Sequence, residues 1–219
     1  MRKVVVATFT SLDGVMQAPG GPQEDPTGGF AYGGWTAPYF DEALGAAMGQ
    51  VFDRPFDLLL GRKTYDIFAA HWPFVTDPDD PIAPVFNRVT KYVATRGPSR
   101  LEWQNSRRLG DDVVAALQAL KAGDGPDLVV QGSSDFLQTL WRAQLVDELI
   151  VLTFPVLLGT GKRLFGPGTA PGALKLQASK AYPTGVVVSS FTPDGPVRTG
   201  DFQLAEPSAA EAERRQRLA

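Results

Sequence analysis

The chain has 219 residues, 43% of them hydrophobic, no cysteine and a formal net charge of −3. That length fits one α/β domain with a sizeable core. The missing cysteine excludes disulfides, thiol catalysis and thiolate metal sites, and the acidic balance argues against nucleic acid as the main partner.

Residues 3–10 (KVVVATFT) are β-branched and nearly all apolar, which predicts a buried first strand. The apolar run is too short for a leader peptide, and Asp13-Gly14 stands where a small-residue cleavage site would be. Asp13, after this strand, is either an Asx-type turn residue or a site carboxylate. Residues 18–38 hold six glycines and four prolines, so they form a loop. Phe30, Tyr32 and Trp35 within it predict packing over something: a ligand, the protein's own core or a second subunit.

A helix is expected over residues 39–52, from the spacing of Phe40, Leu44, Ala47, Met48 and Val51. Asp57-Leu-Leu-Leu-Gly61 then reads as a strand buried on both faces, turning through glycine into a helix that runs to about residue 70. Free N–H groups at that helix start, beside Arg62, Lys63 and Thr64, suit a phosphate; an ordinary turn with solvated basic residues is the alternative. His71, the only histidine, has no second ligand type at metal spacing and is read as structural or surface. No metal is expected. A short helix over 82–88 precedes a strand at 90–95, ending in Arg96-Gly97-Pro98.

Asp111 and Asp112 cap a helix with Val113, Val114, Leu117 and Leu120 on one face. A strand at 127–131 leads directly into Gly132-Ser133-Ser134-Asp135, and Phe136, Leu137, Leu140 and Trp141 form the core face of the next helix. This second strand–glycine–helix junction suits a pyrophosphate, unless the serines simply cap the helix. A strand at 146–154, an apolar loop at 155–166 and a hairpin of strands 174–182 and 186–192 complete the domain. The stretch 149–158 carries Thr153 and Pro155 and is too short to span a bilayer. A cytoplasmic protein without membrane contact is expected. One domain over 1–204 is followed by a charged tail, 205–219, read as a frayed helix or disordered.

Six segments now occur in order: SLDG at 11–14, GGFAYGGW at 28–35, LLGRKTYD at 59–66, ATR at 94–96, QGSSDF at 131–136 and PVLLGTGKRLF at 155–165. Together they resemble the dihydrofolate-reductase-like family, on the branch containing the reductase domain of the bacterial bifunctional riboflavin-biosynthesis deaminase/reductase. The resemblance implies a three-layer α/β fold with a mostly parallel central sheet and antiparallel C-terminal strands. It also implies NADPH as cofactor, a small heterocyclic substrate and a possible homodimer through the terminal strands. Carried over by position, Gly61, Arg62, Lys63 and Thr64 would hold phosphates. Thr95 and Arg96 would lie near the adenosine 2′-phosphate. Gly132, Ser133, Ser134, Asp135 and Phe136 would lie under the pyrophosphate, with serine at 133 where many relatives have a second glycine. Thr8, Val15 and Met16 would lie near the nicotinamide. Asp13 is the candidate for substrate binding or proton handling, and Trp35, Tyr65 and Trp72 are candidates to wall the substrate pocket or, equally, to pack in core and lid. The helix before the GRKT turn lacks the mid-helix carboxylate of true dihydrofolate reductases. A non-catalytic nucleotide- or ligand-binding protein on the same fold is therefore the alternative.

Overall fold

The computed structural model describes residues 1–97, 100–203 and 205–218. Pro98, expected at the end of the 90–95 strand, lies outside them.

Eight strands form one sheet: β1 (Val4–Ser11), β2 (Phe56–Gly61), β3 (Lys91–Ala94), β4 (Ser106–Arg108), β5 (Asp127–Val130), β6 (Glu148–Phe154), β7 (Leu174–Ala181) and β8 (Val187–Pro193). Their spatial order is β4-β3-β2-β5-β1-β6-β8-β7. From β4 to β6 all neighbours are parallel, and β8 and β7 add antiparallel at the far edge. This is the expected α/β architecture. Helices α1 (Glu42–Phe52), α2 (Arg62–Ala69) and α3 (Ala83–Arg88) precede α4 (Val113–Ala122), α5 (Ser134–Arg142) and the terminal α6 (Ala209–Gln216).

Strand alternation divides the core between the two faces of the sheet. Val4, Val6, Leu59, Leu128 and Val130 pack with Leu117 of α4 and with Phe136, Leu137 and Leu140 of α5. Their chain neighbours Val5, Ala7, Leu58, Leu60 and Val129 pack instead with Tyr65 of α2 and Phe86 of α3. Continuous apolar runs in β1, β2 and β5 thus reflect burial on both faces, as a parallel sheet requires. A third cluster joins Leu44 of α1 to Val15, Trp35, Leu152 and Phe154.

Several boundaries differ from expectation for local reasons. Helix α1 starts at Glu42 rather than residue 39, because the Asp41 side chain caps it by accepting the Leu44 N–H at 2.8 Å. Strand β4 went unread: its three residues are polar and one-sided, so no apolar period marks them. Strand β7 is exposed along its whole length, with only β8 beside it. The tail forms the exposed helix α6, capped by Ser208 and braced by Glu211 with Arg214 and Arg215. Among the described residues no helix is long and apolar enough to cross a membrane.

Lys91 is fully buried in β3. Its ammonium donates to the carbonyls of Asn87 (2.8 Å) and Val89 (3.0 Å) and sits 4.3 Å from the centroid of the Trp103 ring. Burial lowers its pKa from the usual 10.5 to about 8. The unfolded chain therefore binds a proton that the folded chain sheds between those values, and this group's contribution to stability grows as pH rises through the window. Relative to Lys91→Met, the wild type should gain up to about 3 kcal/mol between pH 8 and 10.5. Urea titrations of both proteins across that range measure the difference; a pH-independent gap would refute the assignment.

Candidate active site

A cavity of about 1240 Å³ opens on the α1–α2–α3 side of the sheet. Two groups of residues line it. Thr8, Met16, Gln131, Lys63, Thr64, Ser133, Ser134, Asp135 and Lys162 come from strand ends, helix starts and the 155–166 loop. Phe40, Met48, Phe52, Phe68, Trp72, Ile82, Val85 and Phe86 come from α1, α3 and the segments beside them. Cavities at the C-terminal ends of parallel strands, where the chain order reverses, are where ligands bind in such sheets. Here the chain leaves β1 for β2 on one side of the sheet and later crosses from β5 past β1 to β6 on the other.

The two strand–glycine–helix junctions meet behind this cavity. Gly61 N–H donates to the Gly132 carbonyl at 3.0 Å. A β-carbon on Gly61 would lie 2.8 Å from Ser133 N and 2.9 Å from Phe136 Cβ, closer than real contacts allow. Gly132 has φ +157° and lies against Thr64, whose Oγ1 would be 2.6 Å from an added β-carbon. Its peptide bond to Ser133 is cis. Ser133 itself has φ −80° and ψ 168°, ordinary extended backbone that a serine adopts without strain. Neither α2 nor α5 has a side-chain cap; Ser133 in particular makes no capping bond. Their first N–H groups thus have no side-chain acceptor, and the positive ends of both helices lie beside Lys63, Thr64 and Ser134.

Two lysines, Lys63 and Lys162, meet at one corner of a cavity whose lining also carries five carboxyl groups. Lys162 donates to Thr27 Oγ1 at 2.8 Å and pairs with Asp25, while Lys63 reaches the same Thr27 oxygen at 3.4 Å. The adjacent Lys162, then burial, lowers the pKa of Lys63. Against the upward pull of burial, hydrogen bonds from Lys162 and Thr27 hold Asp25 below the usual carboxylate range. Two ammonium groups therefore share one carboxylate. Arg62 points its Nε at Asp66 (2.9 Å), yet its Nη1 is buried with no hydrogen-bond partner among the described residues. A guanidinium nitrogen left so is a standing demand for an acceptor.

The expected site residues separate into four sets. Thr8, Met16, Lys63, Thr64, Ser133, Ser134, Asp135 and Trp72 lie on the cavity wall. Gly61, Gly132 and Phe136 form the tight backing just described. Arg62, Thr95 and Arg96 sit at the ends of β2 and β3, one position beyond the paired Gly61 and Ala94 in the case of Thr95. Asp13, Val15, Trp35 and Tyr65 are not among the residues that line the cavity. Asp13 accepts from Ser11 Oγ (2.6 Å), Leu158 N (3.1 Å) and Gly159 N (2.9 Å), and pairs with Arg163. The Ser11 hydroxyl above all lowers its pKa to about 2, although burial works the other way. A carboxylate so engaged pins the 155–166 loop and has no proton to give. Val15 is wholly buried in the third core cluster. Trp35 is 7% exposed, donates Nε1–H to the Gln17 carbonyl at 2.8 Å and packs edge-on against Phe154. Tyr65 is 2% exposed, and its hydroxyl accepts from Trp103 N at 3.0 Å. Both aromatics are core.

Lys162 and Glu24 also line the cavity and were not anticipated. Among the described residues no group of three or more His, Asp or Glu is placed to hold a metal ion.

Comparison with known proteins places this geometry. The chain is 29% identical over 132 residues to the uncharacterized protein YyaP of Bacillus subtilis, covering 59% of this chain and 70% of that one. Similar folds include a pyrimidine reductase-like protein from Corynebacterium diphtheriae (TM-score 0.56, 13% identity, 90% of this chain and 93% of that one). Dihydrofolate reductase from Enterococcus faecalis, solved with NADP(H), matches with TM-score 0.55 at 12% identity over 88% of this chain and 96% of that one. The sequence pattern described as the RibD C-terminal domain matches residues 2–188. With that match across nearly the whole sheet, this chain belongs to the RibD C-terminal domain family, a reductase-type family with the dihydrofolate-reductase-like fold.

Proposed function

We propose that the protein is an NADPH-dependent reductase that passes hydride to a small pterin-like or riboflavin-precursor-like heterocycle. The observation that carries this is the meeting of two uncapped helix starts, through Gly61 and Gly132, behind a cavity where Lys63 and the hydroxyls of Thr64, Ser133 and Ser134 lie on the wall. That donor set fits a dinucleotide. Backbone N–H groups of α2 and α5, with Lys63, Thr64 and Ser134, take the pyrophosphate. The orphaned Arg62 Nη1, with Thr95 and Arg96 on the neighbouring strand end, takes the 2′-phosphate. When bound, the cofactor supplies the hydride. Thr8 and Met16 flank its nicotinamide, and the aromatic wall from Phe52 to Phe86 holds a flat substrate and excludes water. NADP(H) bound to the Enterococcus faecalis relative supports the choice of cofactor. A homodimer through the terminal strands belongs to the same proposal, supported by the exposed edge of β7.

Titration with NADPH and NADH, followed by nicotinamide fluorescence, tests it. NADPH should bind in the micromolar range with NADH much weaker, and Arg62→Ala should raise the NADPH dissociation constant about tenfold, roughly 1.4 kcal/mol. Unchanged affinity in Arg62→Ala would remove that residue from the site. One feature favours a second reading, a non-catalytic binding protein: α1 faces the cavity with Gly45, Met48 and Gly49 and no mid-helix carboxylate. Tight NADPH binding without hydride transfer to any heterocycle would decide for it.

A further inference from the structure

Five carboxyl groups line the cavity, and four are spent or solvated. Asp25 pairs with Lys162 and Asp66 with Arg62. Asp53 and Asp135 are exposed. Glu24 is the exception: half-buried, on the cavity wall and without an ion pair among the described residues. Its Oε2 accepts from the backbone N–H groups of Gly20 (2.5 Å) and Gly21 (3.2 Å), which fix the side chain. Among the described residues nothing donates a hydrogen bond to its Oε1. The carboxyl is thus held by one oxygen and offers the other.

We propose that Glu24 is the acid of this site, giving its proton through Oε1 to the ring nitrogen of a cyclic imine as the adjacent carbon accepts hydride. This rests on the reductase reading above. The C=N π bond breaks, a C–H bond forms with the hydride pair, and an N–H bond forms with the proton from Glu24. NADPH is oxidised, the imine becomes an amine, and the Glu24 carboxylate is reprotonated by water. A carboxyl suits a ring nitrogen, whose conjugate acid is not far from it in strength, better than a carbonyl oxygen, which protonates only in strong acid.

The surroundings favour the protonated form. Burial pushes the Glu24 pKa up, and neighbouring Asp25 adds to this; the Gly20 and Gly21 N–H groups and His71, across the cavity on the segment after α2, pull the other way without reversing it. The remaining cavity charges are Lys63 and Lys162, near Thr27, and the carboxylates already named. A raised carboxyl pKa weakens the folded state as pH climbs through it, because the unfolded chain ionises first. Glu24→Gln keeps an acceptor for Gly20 and Gly21, so its stability at neutral pH should equal or exceed that of the wild type.

The test joins two measurements. The first is the carbon-13 NMR titration of the Glu24 carboxyl in the protein without ligands. The second is the pH–rate profile for reduction of 6-methyl-7,8-dihydropterin by NADPH, in wild type, Glu24→Gln and Glu24→Asp. The wild-type rate should fall with rising pH through the midpoint seen by NMR. Glu24→Gln should lose at least about 100-fold in rate and lack that limb, while binding NADPH within about twofold of wild type; Glu24→Asp should recover part of the rate. A Glu24→Gln rate within about threefold of wild type, a Glu24 midpoint at or below that of an ordinary glutamate, or wild type that binds NADPH but leaves the dihydropterin unreduced would each overturn the proposal. Absence of NADPH binding in wild type would instead overturn the cofactor reading, and with it this step.

Discussion

Replacing Phe154 with alanine should cost about 3–5 kcal/mol of folding stability. Phe154 ends β6 and is fully buried. Its ring meets those of Trp35 (5.3 Å), Phe9 (5.7 Å), Tyr39 (6.1 Å) and Phe40 (6.4 Å). Two of these four come from the segment between Tyr39 and α1, and one from the 18–38 loop. Removing the ring leaves a cavity bordered by parts of the chain that have little else to close it. The loop cannot collapse inward, because its glycines and prolines supply no spare apolar volume. Urea denaturation at 25 °C, with Phe154→Leu as the partly filled control, measures the loss. A cost below about 1 kcal/mol for the alanine variant would show that the loop is not seated on this ring.

The second large effect is expected at Gly61. An alanine methyl there would press on the backbone nitrogen of Ser133 and on Phe136 Cβ, neither of which can turn aside as the end of a flexible side chain would. Relief requires β2 to part from the β5–α5 junction. That parting lengthens the Gly61–Gly132 hydrogen bond and moves Ser133 and Ser134 away from Lys63 and Thr64. Overpacking of this kind costs about 1–3 kcal/mol in stability. On NADPH the effect should be larger, since both phosphate-facing helix starts shift relative to each other: about a hundredfold in dissociation constant, or roughly 2.7 kcal/mol. Calorimetric titration of Gly61→Ala beside the wild type tests this. Wild-type affinity in a variant that is merely less stable would separate the junction from cofactor binding.

Much of the fold was legible because burial on both faces leaves a plain trace. Val4 to Ala7, Leu58 to Leu60 and Leu128 to Val130 are continuous apolar runs, and each is an interior parallel strand. The edges were harder, as Ser106–Arg108 has no apolar residue to announce it. The glycine junctions could be read for the same local reason that makes them work: strand, glycine and helix start lie within a few residues of one another. Asp13 could not be read. Its fate depends on N–H groups of Leu158 and Gly159, some 145 positions away, which consume a carboxylate that locally looks free. Glu24 was obscured for the converse reason. In a run of Gly, Pro, Gln and Asp it looks like solvated loop, and only the folded chain turns it onto the cavity wall. Trp35 and Tyr65 carried the right composition for a pocket, but each spends its polar atom on backbone inside the core.

Gln17 has a consequence for rates. This buried side chain donates to the carbonyls of Asp25 and Thr27, both at 2.9 Å, and accepts from Lys162 N at 3.0 Å; its own carbonyl takes the Trp35 indole. One residue of the segment after β1 thereby stitches the 18–38 and 155–166 loops together. Peeling the 18–38 segment off would break three of these bonds together, which is a sub-global unfolding event and not a nanosecond loop excursion. Ligands must therefore exchange through a mouth that is already open, and warming should speed that traffic only as diffusion does, until the unit melts as a whole.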